Sequence, residues 1–393
     1  MASMNSSIAE VFSEAAELLK HEVDEQKTPV RSSRRPAVLL AALGSEHGVE
    51  NGLEAARLAI RDGLNVHVLA DRELEGAKSH IVQTEEESQA EMERLLDSKK
   101  VSAAVAMHYP FPIGISTVGR VLTPAQGKAL YIASTTGTSS AQRIEAMVLN
   151  AISGLAAAKA CGIERPRLGI LNIDGARQVE KLLLELKDAG FDFDFAESNR
   201  SDGGCVMRGN DVLQASCDVL ICDSLTGNVL TKMLSSFSTG GSYEALGWGY
   251  GPGLGREANK LVLIVSRASG APVIANALKF AEELVLGDVL SVLKSLYEQA
   301  DKAGLKELLE KLGARSAKSE KDSEEAVVQP PAETVTASIS GIDVLDLDDA
   351  VHCLWSKGIY AEAGMGCTGP IVRVSDEKHN EAEAALKEAG YIA

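Results

Sequence analysis

The sequence holds no apolar run near the roughly 20 residues that a membrane-spanning helix needs; the longest stretch near its start is Ala37 to Leu43. It opens without the basic region and continuous apolar segment of a secretory leader, so no membrane is expected and a cytoplasmic location is. Positive charge is also short, with 39 Lys plus Arg against 56 Asp plus Glu and a formal net charge of −17. That balance argues against nucleic acid or an anionic membrane surface as a partner. Neither G-x-x-x-x-G-K-[ST] nor a clean G-x-G-x-x-G after a strand is present, which removes the common nucleotide-binding signatures. Six cysteines lie scattered at 161, 205, 217, 222, 353 and 367 with no Cys-x-x-Cys pair. A disulfide framework and a structural zinc site are therefore unsupported, and no metal is expected.

What remains is an ordinary globular composition, 45% hydrophobic and 24% charged over 393 residues, enough for two or three domains. Residues 6 to 21 read as an amphipathic helix with a Ser7/Glu10 capping box, followed by a basic, Pro-bearing connector to residue 36. From residue 37, β-rich runs alternate with helical segments, the pattern of an α/β domain with a largely parallel sheet. Strands are predicted at 37–43, 65–70, 101–107, 129–134, 167–173, 191–196, 218–223 and 260–266. Helices are predicted from Asn51, from about Ser139 to Cys161, from Ala176, and across 275–312. The glycine-rich GWGYGPGLG at 247–255 follows no predicted strand and reads as a mobile loop or interface. Residues 314–334 are polar, charged and Pro-bearing, and read as a flexible linker. A final unit, 335–393, has a β-α-β-β-α order. The expected organisation is thus an N-terminal segment (1–36), a body (37–313), a linker and a small α+β domain.

Three segments can carry chemistry. In the first, GMGCTGP (364–370), glycines bracket Cys367; Gly366, Cys367 and Thr368 form a turn whose outward amides favour a thiolate and an acyl oxyanion. A plain hairpin tip with an incidental cysteine is the alternative, but a tethered unit with an exposed thiol at its tip suits a carrier, since a 21-residue linker spans roughly 25 Å. In the second, a strand ends at Asp223, and Ser224, Thr226, Gly227 and Asn228 open a helix whose amides face the carboxyl edge of the sheet, where phosphate or carboxylate binds; Lys232 lies further along it. Ordinary helix capping explains the same residues equally well. In the third, Ser134 to Ser140 run from a strand toward a helix, offering Thr138, Ser139 and Ser140 with Arg143 one turn in. His47 and His108 sit in loops and can act as a base at the same crevice edge, or serve as structural histidines.

The stretch 101–236 resembles the phosphate acyltransferase family of phospholipid synthesis (PlsX), on GIERPRLGILNI (162–173) and DVLQASCDVLICDSLTGNVLTK (211–232). The resemblance implies an isocitrate dehydrogenase-like fold and acyl transfer between a thioester and inorganic phosphate. Two departures stand out: AVAMHYPFPIGIST (104–117) replaces that family's S-A-G-N-T-G-A run, and the tethered C-terminal domain is additional. Both are similar to the alpha subunits of component C in glycine, sarcosine and betaine reductase complexes. In that family the GMGCTGP cysteine carries an acetyl thioester received from the selenoprotein component A, and phosphate releases acetyl phosphate. The resemblance implies the carrier role for Cys367, inorganic phosphate as co-substrate with no other cofactor, a component C beta subunit and component A as partners, and a homo-oligomer. The rival expectations are a stand-alone phosphate acyltransferase using acyl carrier protein, a non-catalytic scaffold subunit and, with least support, nicotinamide-dependent oxidation.

Overall fold

The computed structural model describes residues 35–200, 203–322, 329–342, 346–366 and 369–392. The amphipathic helix expected at 6–21 lies outside the described residues, as do Cys367 and Thr368. Residues 36–393 form one compact unit.

Its main sheet has twelve strands: β1 (Ala37–Ala41), β2 (Asn65–Ala70), β3 (Lys78–Ile81), β4 (Ala103–Ala106), β5 (Ile115–Leu122), β6 (Ala129–Thr138), β7 (Arg167–Leu171), β8 (Asp194–Phe195), β9 (Val206–Met207), β10 (Val219–Ile221), β11 (Gly251–Leu254) and β12 (Val262–Ile264). The order is β3-β2-β1-β4-β12-β11-β5-β6-β10-β7-β8, with β9 beside β7. Every pairing is parallel except β11 with β12, β11 with β5 and β5 with β6. This is the mostly parallel α/β architecture that the alternation of runs predicts.

Side-chain alternation along the strands builds a three-layer core. In β1, Val38 and Leu40 join one hydrophobic cluster while Leu39 and Ala41 join another on the opposite face. The first cluster is closed by α1 (Val49–Arg61), α3 (Arg143–Ala160), α4 (Ala176–Asp188), α7 (Ala271–Leu286) and α8 (Val289–Lys302), through side chains such as Leu53, Met147, Leu183, Phe280 and Leu293. The other face is covered by α2 (Glu85–Asp97) with Met92 and Leu95, and by α6 (Ser224–Ser236) with Leu234, while the short α5 (Gly209–Gln214) adds Val212. Thr84 caps α2, its hydroxyl accepting from the Glu87 amide at 3.1 Å.

Several expectations are corrected. GWGYGPGLG is not a mobile loop: its second half is β11, buried at the centre of the sheet between β5 and β12. Gly251 has φ +82°, and a Cβ there would overlap the Val118 carbonyl of β5, so glycine is what lets this strand enter. The helix expected from Ser139 starts at Arg143, because β6 runs on to Thr138 and Gln142 takes the N-cap position. The linker is shorter than expected, since α9 (Leu305–Asp322) continues through residues 314–322, a stretch of good helix formers. At its other end, Glu333 already pairs with Lys378 at 2.6 Å and Thr336 donates to the Val374 carbonyl at 3.0 Å.

The C-terminal layer has the expected order: β13 (Ala337–Ser340), α10 (Leu347–Ser356), β14 (Ala361–Gly366), β15 (Gly369–Val374) and α11 (His379–Ala389). The strands form an antiparallel sheet in the order β13-β15-β14, with a separate core around Leu354, Val372, Val374 and Leu386. Gln178 of α4 donates to Asp346, the N-cap of α10, at 2.7 Å.

Candidate functional site

Strand polarity decides which of the singled-out residues can meet. Because β11 is antiparallel to both β12 and β5, and β5 is antiparallel to β6, the block β3-β2-β1-β4-β12 and the block β6-β10-β7-β8 run in opposite senses. Their carboxyl edges, where open α/β sheets place ligands, therefore lie at opposite ends of the strand direction.

Asp223 follows β10 at the carboxyl edge of the second block and caps α6. Its carboxylate accepts from the Thr226 amide at 2.9 Å and the Thr226 hydroxyl at 2.8 Å. Arg143 lies between Asp223 (3.3 Å) and Asp174 (3.5 Å). Burial pushes the Asp223 carboxyl up, but Thr226 and Arg143 outweigh it and hold the group below its usual range. The ionised carboxylate thus occupies the place beside the helix amides where the sequence pattern invites a phosphate. Ser224 is the first helical residue. Gly227 is required by packing, since a Cβ would overlap the Ser134 carbonyl of β6, and Asn228 donates to the Thr135 carbonyl at 3.1 Å.

The Ser134 to Ser140 segment is also bound up internally. Ser139 is buried, with its hydroxyl 2.7 Å from Asn150 Oδ1 and 2.8 Å from the Ser116 hydroxyl. Thr138 donates to the Ser140 carbonyl at 2.5 Å, and the Ser140 hydroxyl accepts from the Gln142 amide at 3.1 Å. Arg143 is the first residue of its helix, not one turn in.

His108 lies elsewhere. It follows β4 on the first block, exposed at a cavity of about 160 Å³ that Leu43, Glu85, Glu86 and Met92 also line. His47 has Nε2 3.2 Å from the Ala268 carbonyl and its ring edge-on to Tyr243. Both histidines belong to the first block's edge, whereas Asp223 and Arg143 belong to the second's. The single crevice expected to hold all of them does not form.

One helix reaches both regions. α6 leaves the second block at Asp223 and runs back along β6; nine residues on, about 13 Å at 1.5 Å per residue, Lys232 meets Glu244 beside the loop that follows β12. Lys232 Nζ is 3.6 Å from Glu244 Oε1. Glu244 also accepts from the Tyr250 hydroxyl at 3.2 Å and from the Ser269 hydroxyl at 2.9 Å. Next to Ser269, Arg267 forms a two-pronged pair with Glu85 (3.0 and 2.6 Å) and donates to the Gly44 carbonyl at 2.9 Å. The sequence reading missed Glu244, Tyr250, Arg267 and Ser269. SRASG (266–270) between a β-rich run and a helix is the same kind of strand-to-helix turn as the two segments it did single out, whereas Glu244 carries no local signal.

The described cysteines are poor nucleophiles. Burial pushes Cys161 up to about 11 and Cys205 and Cys217 to about 12, and raises Cys222 and Cys353. Nor do three or more His, Cys, Asp or Glu side chains converge as metal ligands among the described residues.

The sequence pattern of the fatty acid synthesis protein family matches residues 37–373. The chain is 52% identical over 356 residues to the glycine/sarcosine/betaine reductase complex component C subunit alpha of Peptoclostridium acidaminophilum, covering 90% of this chain and 92% of that one. A phosphate acyltransferase of Prochlorococcus marinus is 39% identical over 77 residues, 19% of this chain and 15% of that one. Among solved structures, a branched-chain phosphotransacylase from Enterococcus faecalis aligns with 17% identity and a TM-score of 0.43, over 63% of this chain and 99% of that one. No helix among the described residues is long and apolar enough to cross a membrane. With one family pattern spanning most of its length and a relative identical at half of the aligned positions over nine-tenths of both chains, the protein belongs to the fatty acid synthesis protein family that includes the component C alpha subunit.

Proposed function

We propose that this chain is the acyltransferase subunit of an amino-acid reductase complex, and that it moves an acetyl group between Cys367 and inorganic phosphate. The observation that carries the reading is the 52% identity with the component C alpha subunit over 90% of this chain, a match too long to leave out the whole of the added C-terminal layer. In the described part of that layer, β14 and β15 pair up to Gly366 and Gly369, leaving only Cys367 and Thr368 to connect them. A thiol in such a connection, on a layer with its own core, suits a carried thioester. The other five cysteines are raised by burial and disfavour the thiolate.

A thioester carbonyl is already activated, so the reaction needs a positioned phosphate and donors for the tetrahedral oxyanion. A phosphate oxygen of HPO4²⁻ attacks the acetyl carbon, the C–O bond forms and the C–S bond breaks with its electron pair on sulfur. The phosphate proton ends on that sulfur, giving acetyl phosphate and the free thiol. A component C beta subunit, the selenoprotein component A and a second copy of this chain are the partners this reading implies.

The test is acetylation in reverse. The purified chain, alone and with its beta subunit, is incubated with acetyl phosphate and its peptides are mapped by mass spectrometry. An acetyl group on the Cys367 peptide, removed by hydroxylamine and by arsenate, is expected. Acetylation spread over lysines, or no adduct in either preparation, rejects the carrier role and favours a scaffold subunit. Full phosphate–acyl exchange with acyl carrier protein in Cys367→Ser favours the stand-alone enzyme.

A further inference from the structure

We propose that Glu244 is a positioning residue: its buried carboxylate holds the Lys232 ammonium at the carboxyl edge of the first parallel block, where that ammonium binds inorganic phosphate. The inference rests on the acyltransferase reading for its ligand.

The Glu244 side chain is 2% exposed and the Lys232 side chain 53%. A buried carboxylate is costly unless donors and a cation compensate it. Here the compensation is specific: Tyr250 and Ser269 donate to the two oxygens, and Lys232 supplies the charge. Two hydroxyl donors and one cation thus converge on the buried carboxyl group. The Glu244 backbone is fixed as well, its amide donating to the Ala268 carbonyl at 3.1 Å and its own carbonyl accepting from the Gly270 amide at 2.8 Å. The anchor for Lys232 is therefore rigid, which is what a positioned binding group needs.

Of the three cations described around the two edges, Lys232 has capacity left. Arg143 is shared between Asp223 and Asp174, and Arg267 is committed to Glu85 and Gly44. Lys232 sits 3.6 Å from its carboxylate, within ion-pair range and beyond a good hydrogen bond. Among the described residues its ammonium donates no hydrogen bond, so its three N–H groups remain available to a phosphate oxygen on the solvent side.

The test reads binding separately from turnover. Full-length chain is reductively methylated with limiting formaldehyde while inorganic phosphate is titrated against chloride at equal ionic strength, and modification of the Lys232 peptide is followed by mass spectrometry. Phosphate is expected to protect Lys232, with the half-protecting concentration rising about tenfold in Glu244→Gln, because the ammonium loses the fixed group that holds it in place. In the exchange assay, KM for phosphate is expected to rise in parallel with little change in kcat, and Glu244→Asp to recover part of the loss. No protection beyond chloride, or an unchanged midpoint in a folded Glu244→Gln, overturns the proposal. If Glu244→Gln does not fold, Tyr250→Phe makes the same comparison with the buried charge kept: a several-fold higher midpoint supports the proposal and an unchanged one overturns it. Protection in a wild-type preparation that shows no exchange upholds the phosphate site while rejecting the acyltransferase reading.

Discussion

His67 shows how a single side chain sets a pH limit on this fold. It points from β2 into the protein with 6% of its surface exposed, its Nδ1 lies 3.3 Å from His80 Nε2, and the two rings stack. His80 in turn faces Glu91 at 3.3 Å. Burial, then His80 and Lys78, push His67 down to about 4. An unfolded histidine titrates near 6.5, so between those values the unfolded chain binds the extra proton. The contribution of neutral His67 is complete above about pH 6.5 and is lost as pH falls toward 4. In urea unfolding at pH 7.5 and 4.5, His67→Gln is expected to show a shallower acid loss than wild type, by on the order of 1–2 kcal/mol; parallel pH profiles would count against it. The same scale explains what the sequence could not disclose at Asp223. Asp, Ser, Thr, Gly and Asn at a strand-to-helix turn bind a phosphate or cap a helix, and only the contacts with Thr226 and Arg143 show the carboxylate turned onto its own helix.

At the scale of elements, α6 is the piece on which the arrangement depends. Its close approach to β6 is set by Gly227, where any Cβ would overlap the Ser134 carbonyl. Backbone cannot yield as a flexible side chain does, so Gly227→Ala is expected to cost about 3 kcal/mol. The accompanying shift of α6 should also weaken phosphate protection of Lys232. A fall of several degrees in Tm checks the first effect, and a Gly227→Ala chain as stable as wild type contradicts this account of the packing.

Much of the element order was legible. β1, β2, β6, β7 and β10 announced themselves as β-rich runs, and the C-terminal layer was readable throughout because short apolar runs alternate there with amphipathic helices. The failures share a physical cause. β11 is made of Gly, Pro, Gly and Leu, which belongs in a sheet only because β5 approaches too closely for larger residues. β9 has two residues, too few for a period to register, and of the run expected as a strand at 191–196 only Asp194–Phe195 pairs as β8. β5 begins within the departure from the phosphate acyltransferase pattern and runs past its end. Missing β5 and β11 also meant missing the antiparallel seam, and with it the reversal that sends His108 and Asp223 to opposite edges.

Across the whole molecule, a chain with a formal charge of −17 must gather phosphate at a few cations. The proposed place is Lys232, with Glu244 buried behind it and Arg143 and Arg267 already paired. The terminal layer has its own core and is tied to the large sheet's helices by the link from Gln178 to Asp346; the proposal gives it the reactive group. On the proposed reading function is divided: the large sheet would hold phosphate, and the small one would carry the thioester. The most direct test is exchange of radiolabelled inorganic phosphate into acetyl phosphate by the complex, comparing wild type with Cys367→Ser at matched Tm. The account predicts exchange in the wild type and its loss in the variant; undiminished exchange in Cys367→Ser would contradict it.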